Sequence, residues 1–245
     1  MSNSSRRKWL RAGLGAAAGA SGIAVAARLA ERYGLVPPDA GNIYGPGATL
    51  TYATQRLLTD GTMAREFTRS QISARPFANG KPLQEAEFLR LQEGGFSEWR
   101  LSVDGLVARP ATFTLAELKS MPARSQITQL ACEEGWSFIA EWTGVVLSDV
   151  LAAVGILPQA RFVTYQSFQK RWRNSVDMAD ALHPQTLVIY GMNGGDLPTG
   201  HGGPLRMRVP RQLGYKSVKY INRLTVTDGL QLPARARGYA WYAGI

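Results

Sequence analysis

The chain of 245 residues holds one cysteine, Cys132, in the run Leu130-Ala131-Cys132-Glu133-Glu134-Gly135-Trp136. A lone cysteine forms no internal disulfide. It is either a small buried hydrophobe or a thiolate that reacts or binds a metal. Carboxylates beside a thiol raise its pKa and make it a poor free nucleophile. Coordination reverses this, because a metal-bound thiol gives up its proton outright. On composition alone the inert reading is the commoner one. Glu134, two residues past the thiol, is a candidate proton donor; its plainer role is a surface carboxylate near Arg171 or Arg173.

Other stretches suggest a bound anion. Gly200-His201-Gly202-Gly203-Pro204-Leu205-Arg206 joins glycines, which let a backbone approach a ligand closely, to two hydrogen-bond donors, His201 and Arg206. Gly214-Tyr215-Lys216-Ser217-Val218-Lys219 offers backbone N–H groups, a hydroxyl and two lysines, enough to cradle one phosphate. The ordinary readings are a glycine-rich turn and a solvated basic strand edge. No Walker pattern occurs, and the glycines at 13, 15 and 19 follow no strand, so no nucleotide loop is expected. Arg69 and Gln71 are unremarkable by themselves.

Mixed short elements must position these groups. Trp99, Leu101 and Val103 alternate with polar residues before Asp104-Gly105 turns the chain into a hairpin. Thr114-Leu115-Ala116-Glu117 is a capping box opening a short helix. Residues 125–132 alternate, which places Cys132 at a strand end; residues 145–154 read as a helix stopped by Gly155. Strands are expected at 161–168, 187–190, 205–209 and 218–226, a short helix at 177–182, and a turn at Asn193-Gly194-Gly195. Without a regular strand–helix–strand repeat, the expected class is α+β with a mixed sheet and short helices. Residues 31–98, with Pro37-Pro38, Gly45-Pro46-Gly47 and Asn79-Gly80, read as an extended arm with at most a short helix at 83–92. The expected domains are a signal segment at 1–30, this arm, a core at 99–230 and a tail at 231–245.

Hydrophobic content of 45% and charged content of 19% describe a folded globular chain with one sizeable core. The formal charge is +10, but Arg6, Arg7, Lys8, Arg11 and Arg28 lie in residues 1–30, which hold no acid. The remaining surplus is mild and lacks a basic stripe with interleaved aromatics, so nucleic acid is not an expected partner. Ser5-Arg6-Arg7-Lys8-Trp9-Leu10 precedes an apolar, Gly/Ala-rich stretch at 12–27. That is the layout of a secretory signal, and the arginine pair resembles a twin-arginine signal, a route for proteins that fold around a cofactor before export. The expected location is the periplasm.

Cys132-Glu133-Glu134-Gly135-Trp136-Ser137 followed by Trp142-Thr143-Gly144-Val145-Val146-Leu147 resembles the cysteine loop of sulfite-oxidase-type molybdopterin enzymes. One residue more than the family pattern stands between Cys132 and Trp136. Tyr190-Gly191-Met192-Asn193-Gly194-Gly195-Asp196-Leu197-Pro198, His201-Gly202-Gly203-Pro204-Leu205-Arg206, Val209-Pro210 and Gly214 to Lys219 resemble the same family's cofactor segment, in the family's order. Together these motifs span more than half the chain.

The resemblance implies the sulfite-oxidase-type fold and a molybdenum–molybdopterin cofactor, without a nucleotide, whose metal takes Cys132 as its protein ligand. Soft sulfur ligation suits such a metal. By position, His201, Arg206, Ser217, Val218 and Lys219 would bind the pterin and its phosphate, with Ser167 contributing from the following strand. Phe67-Thr68-Arg69-Ser70-Gln71 resembles a degraded Phe-x-Arg-Asn-His, which would put Arg69 and Gln71 on the cofactor. Within the family the likeness is to small exported bacterial subunits that reduce methionine sulfoxide with a membrane haem partner. With seventeen residues after Asp228, neither a haem domain nor an immunoglobulin-like dimer domain is expected. A monomeric catalytic subunit served by another redox protein is. The activity implied is oxygen-atom transfer from a sulfoxide-like substrate. Its rivals are oxidation of sulfite or a similar small anion with electrons passed to a cytochrome, and a metal-free binding module.

Overall fold

Alternating buried and exposed residues build two sheets around separate apolar clusters. The computed structural model describes residues 46–59, 61–169 and 172–231, with Val25, Arg28, Ala30, Leu35 and Val36; Arg6, Arg7 and most of the expected signal segment lie outside the described residues. The chain divides into two units at residues 60 and 61. In the first, a helix runs Pro46–Thr59, with Arg56 Nε donating to Tyr52 Oη at 3.1 Å across one turn. This corrects the expectation of an extended arm there. Pro46 takes the first helical position, where its missing N–H has no partner to lose, so a motif that reads as a turn opens a helix instead.

Residues 61–98 belong with the core unit. They hold a 3₁₀ turn at Arg69–Gln71 and the expected short helix at Ala86–Glu93, which buries Phe88 and Leu91. The strands that follow are β1 (Arg100–Gly105), β2 (Ala111–Thr114), β3 (Ala123–Ala131), β4 (Ser137–Val146), β5 (Phe162–Ser167), β6 (Arg173–Asp177), β7 (Leu187–Met192), β8 (Gly195–Asp196), β9 (Arg206–Arg208) and β10 (Ile221–Thr227). One sheet runs β2-β1-β10-β5-β6, with β1 and β10 parallel and the other neighbours antiparallel. The other runs β3-β4-β7-β8, with β9 also on β7, all antiparallel. The α+β class with a mixed sheet is therefore present.

The capping box forms as its sequence dictates: Thr114 Oγ1 accepts from Glu117 N at 3.1 Å, and Glu117 Oε2 accepts from Thr114 N at 2.7 Å. The helix expected from residue 145 starts at Leu147, because Val145 and Val146 complete β4. Its Leu147, Val150, Leu151 and Val154 lie on one face and are wholly buried in the larger cluster. Strands β4 and β6 were not anticipated. β4 is buried on both faces at Trp142 and Glu141 and so lacks a clean alternation.

The second sheet curls. Arg208 on β9 donates from Nη2 to Thr128 Oγ1 at 3.1 Å and to the Gln129 carbonyl, both on β3, although β7 and β4 stand between these strands in the sheet order. Leu130, Phe138, Trp142 and Ile189 fill the space inside the curl.

Candidate active site

Cys132 sits at the tip of the β3–β4 hairpin. Its N–H donates to the Trp136 carbonyl at 2.9 Å and its carbonyl accepts from Gly135 N at 3.1 Å, which closes a tight loop carrying Glu133 and Glu134. The thiol donates to Glu133 Oε2 at 3.2 Å. Burial pushes the thiol pKa up to about 11, against a smaller opposing pull from the Glu134 N–H and with help from both carboxylates. A free nucleophile of that kind would be inert at neutral pH; a metal ligand would not.

The thiol lines a cavity of about 900 Å³. Ser167, His201, Arg206, Ser217, Val218 and Lys219 line the same cavity, so the structure brings these sequence-derived candidates together, with Glu134. Backbone pairing explains their meeting. Met207 N donates to the Val218 carbonyl and Ile221 N to the Leu205 carbonyl, both at 3.0 Å, so the glycine-rich loop and the 214–219 segment run side by side. Arg206 Nε donates to the Ser217 carbonyl and its Nη1 to the His201 carbonyl, each at 2.9 Å. Lys219 Nζ donates to the carbonyls of Asn79 and Gly200 at 2.7 and 2.6 Å.

Two glycines permit this packing. Gly202 has φ 103°, and a Cβ there would stand 2.7 Å from Lys219 Cβ. A Cβ on Gly214 would stand 3.2 Å from Leu130 Cδ2 and 3.4 Å from Cys132 Cα, so this glycine lets the cofactor segment lie against the cysteine loop.

Burial lowers the pKa of Arg206 to about 10. It lowers Lys219 to about 8 and His201 to about 4, with Arg206 adding to the fall of both. Among the described residues neither Arg206 nor Lys219 pairs with a carboxylate; neutral carbonyls are their acceptors. A buried guanidinium and a half-buried ammonium without acids fit an anionic ligand. No cluster of three or more metal-ligating side chains occurs among the described residues, so a metal on Cys132 would draw most of its ligands from the cofactor. The donor set therefore fits a molybdopterin, an anionic group that brings its own sulfur ligands.

Other expected groups lie elsewhere. Arg69 is not on this cavity; its guanidinium makes a two-point contact with Glu141, at 2.7 and 3.2 Å. Gln71 closes a local capping box with Thr68 at 3.0 Å. Lys216 leaves the proposed phosphate cradle: it is buried and its Nζ donates to the Ser175 carbonyl at 2.7 Å. Arg173 lines the cavity, and Arg171 lies outside the described residues. Sequence reasoning missed other residues that line the cavity, Phe77, Asn79 and Glu85 before β1 and Trp172 and Asn174 after β5. Their one sequence signal was the turn at Asn79-Gly80.

Fold and site define a molybdopterin-binding oxidoreductase of the sulfite-oxidase type. The chain belongs to the oxidoreductase molybdopterin binding domain family, which residues 90–231 match. It is 38% identical over 157 residues, 63% of this chain and 59% of the relative, to a protein from Azospira oryzae provisionally named protein-methionine-sulfoxide reductase subunit YedZ1. It is 34% identical over 57% of its length to the protein-methionine-sulfoxide reductase catalytic subunit MsrP of Xanthomonas campestris, covering 47% of that protein. Among solved structures it resembles the sulfane dehydrogenase SoxCD from Paracoccus pantotrophus, with TM-score 0.53 and 25% identity over 55% of this chain and 39% of that one. The matches thus span about half the length of these relatives. The family implies a molybdenum–molybdopterin cofactor.

Proposed function

We propose that this chain is an exported catalytic subunit that reduces a sulfoxide-like substrate, with electrons supplied by a separate membrane haem subunit or cytochrome. The observation that carries this reading is that Cys132 lines one cavity together with Arg206 and Lys219, cations that no acid pairs with among the described residues. Two relatives named as methionine-sulfoxide reductase subunits support the substrate class.

When bound, the cofactor supplies a thiolate-ligated metal able to accept an oxygen atom and pass on two electrons. The chain's own residues do the rest. Cys132 holds the metal as a thiolate. Arg206, Lys219, His201, Ser217 and Val218 would hold the pterin and its single phosphate in the form without a nucleotide. Reduction of a sulfoxide to a thioether consumes two electrons and two protons and yields water. Glu134 would deliver a proton; its Oε2 accepts from Trp136 Nε1 at 2.8 Å and Asn79 Nδ2 at 3.0 Å, which orients the carboxyl beside the cavity. Phe77, Trp136 and Trp172 give the cavity an aromatic border suited to a neutral, partly apolar substrate.

The rival oxidation of sulfite or a similar anion has Arg173 on the cavity wall in its favour. One assay separates the two: metal-loaded protein tested in parallel with methionine sulfoxide, other S- and N-oxides, and sulfite. Turnover of sulfite alone would overturn the proposal. Protein that carries no molybdenum would instead favour the metal-free binding module. Periplasmic location rests on Arg6 and Arg7. Replacing both by lysine keeps the charge but loses the guanidinium fork, so folded, loaded protein should accumulate inside the cell. Normal export of the double variant would remove the case for a twin-arginine route.

A further inference from the structure

Arg208 is wholly buried, yet among the described residues its Nε and Nη1 have no hydrogen-bond partner. Its guanidinium lies 5.5 Å from the centre of the Trp142 ring, and that of Arg206 lies 5.9 Å from the same ring. Two buried cations therefore share one indole, and among the described residues no carboxylate pairs with either. Arg206 reaches the cavity; Arg208 does not line it.

This arrangement is costly for the chain alone. Charges in a low-dielectric interior repel more strongly than in water, and a buried ion without a counter-ion destabilises the fold. Burial and Arg206 lower the pKa of Arg208 to about 9, which still leaves it charged at neutral pH. A simple clamp between β9 and β3 would need only the Nη2 contacts to Thr128 and Gln129. A neutral side chain of similar length would fill the same space without the charge.

We propose that Arg208 is a positioning residue: from behind Arg206 it supplies a second buried positive charge that makes binding of the anionic cofactor favourable without touching it. The proposal rests on the molybdopterin reading of the cavity. Its consequence is a sign pattern. The charge destabilises the cofactor-free chain and stabilises the loaded one, because an anion in the cavity relieves the repulsion between the guanidiniums.

The test compares protein made in a host unable to synthesise molybdopterin with loaded protein, for wild type, Arg208→Met and Arg208→Lys. Thermal midpoints are read for both forms, and pterin and molybdenum are measured per purified chain. The methionine variant is expected to match or exceed wild type in the cofactor-free midpoint. Its rise on loading should shrink and its pterin content fall several-fold. The lysine variant loses the Nη2 contacts to β3, so both its midpoints should drop while its rise on loading and its pterin content persist. A methionine variant with wild-type content and rise would overturn the proposal. So would equal loss of pterin in both variants, which would assign the effect to the hydrogen bonds and not the charge. If the cofactor-free methionine variant does not fold, retention of pterin by the lysine variant supports the proposal and its loss overturns it. Wild type that carries no pterin from a competent host would refute the cofactor reading itself, a distinct outcome.

Discussion

The side-chain amide of Asn79 donates to Oε2 of Glu134 at 3.0 Å, fifty-five residues along the chain. The carbonyl of the same Asn79 accepts from Lys219 at 2.7 Å. A segment lying before β1 thus ties the cysteine loop to the cofactor segment. Asn79→Ala removes one of the two donors that orient Glu134. The bond is exposed, so stability should fall by no more than about 1 kcal/mol. The proposed proton transfer should suffer more, with kcat reduced and the pH profile altered. A variant with unchanged kcat and pH profile would take Glu134 out of the mechanism.

Cys132→Ser is expected to abolish turnover and most molybdenum binding while leaving the fold intact, seen as an unchanged circular dichroism spectrum and partial retention of pterin. In cofactor-free wild type, the raised thiol pKa of about 11 predicts slow alkylation at pH 7. The rate should climb about tenfold per pH unit and level off only near that pKa. A plateau around the ordinary thiol value would show that the loop is open in solution.

His201 has a folded pKa lowered to about 4 against an ordinary value of 6.5. Between those values the unfolded chain binds a proton that the folded chain does not. Stability is therefore full above pH 6.5 and is lost as the pH falls towards 4. The urea midpoint of the cofactor-free protein should drop across this window, and less so in His201→Gln. Loading with an anionic cofactor offsets Arg206 and Lys219, so the loaded protein should show a shallower drop. Equal pH dependence of wild type and His201→Gln would contradict this.

Gly214→Ala would place a Cβ 3.3 Å from the Ala131 carbonyl and 3.4 Å from Cys132 Cα. The backbone on both sides would have to shift by a few tenths of an ångström, at a cost of roughly 1–3 kcal/mol. The expected readout is a lower thermal midpoint together with reduced molybdenum per chain, because the shift falls on the metal ligand.

Arg69→Ala separates two roles for one residue. Glu141 is buried and both its carboxylate oxygens accept from Arg69. Removing the partner should cost about 1–3 kcal/mol of stability. Pterin content should not change, since Arg69 lies off the cavity. Loss of pterin out of proportion to stability would place Arg69 on the cofactor after all.

The segments around Cys132, His201–Arg206 and Gly214–Lys219 were legible as a site only through their order, which resembles a family pattern; taken singly, each also fits an ordinary core cysteine, turn or basic strand edge. The Thr114–Glu117 capping box and the buried face of Leu147–Val154 were legible by themselves, because they depend only on neighbours three and four residues apart. The α+β class followed from the irregular order of those elements. What the tertiary structure decided was pairing over long distances. Asn79 meets Glu134 and Lys219, Arg69 meets Glu141, and Arg208 crosses from β9 to β3, because the curl of the second sheet and the course of residues 61–98 bring them together. Lys216 and Lys219 look alike in sequence. One points to the Ser175 carbonyl inside the core and the other to the cavity, a difference set by the 3₁₀ turn at Gly214–Lys216 that separates their directions.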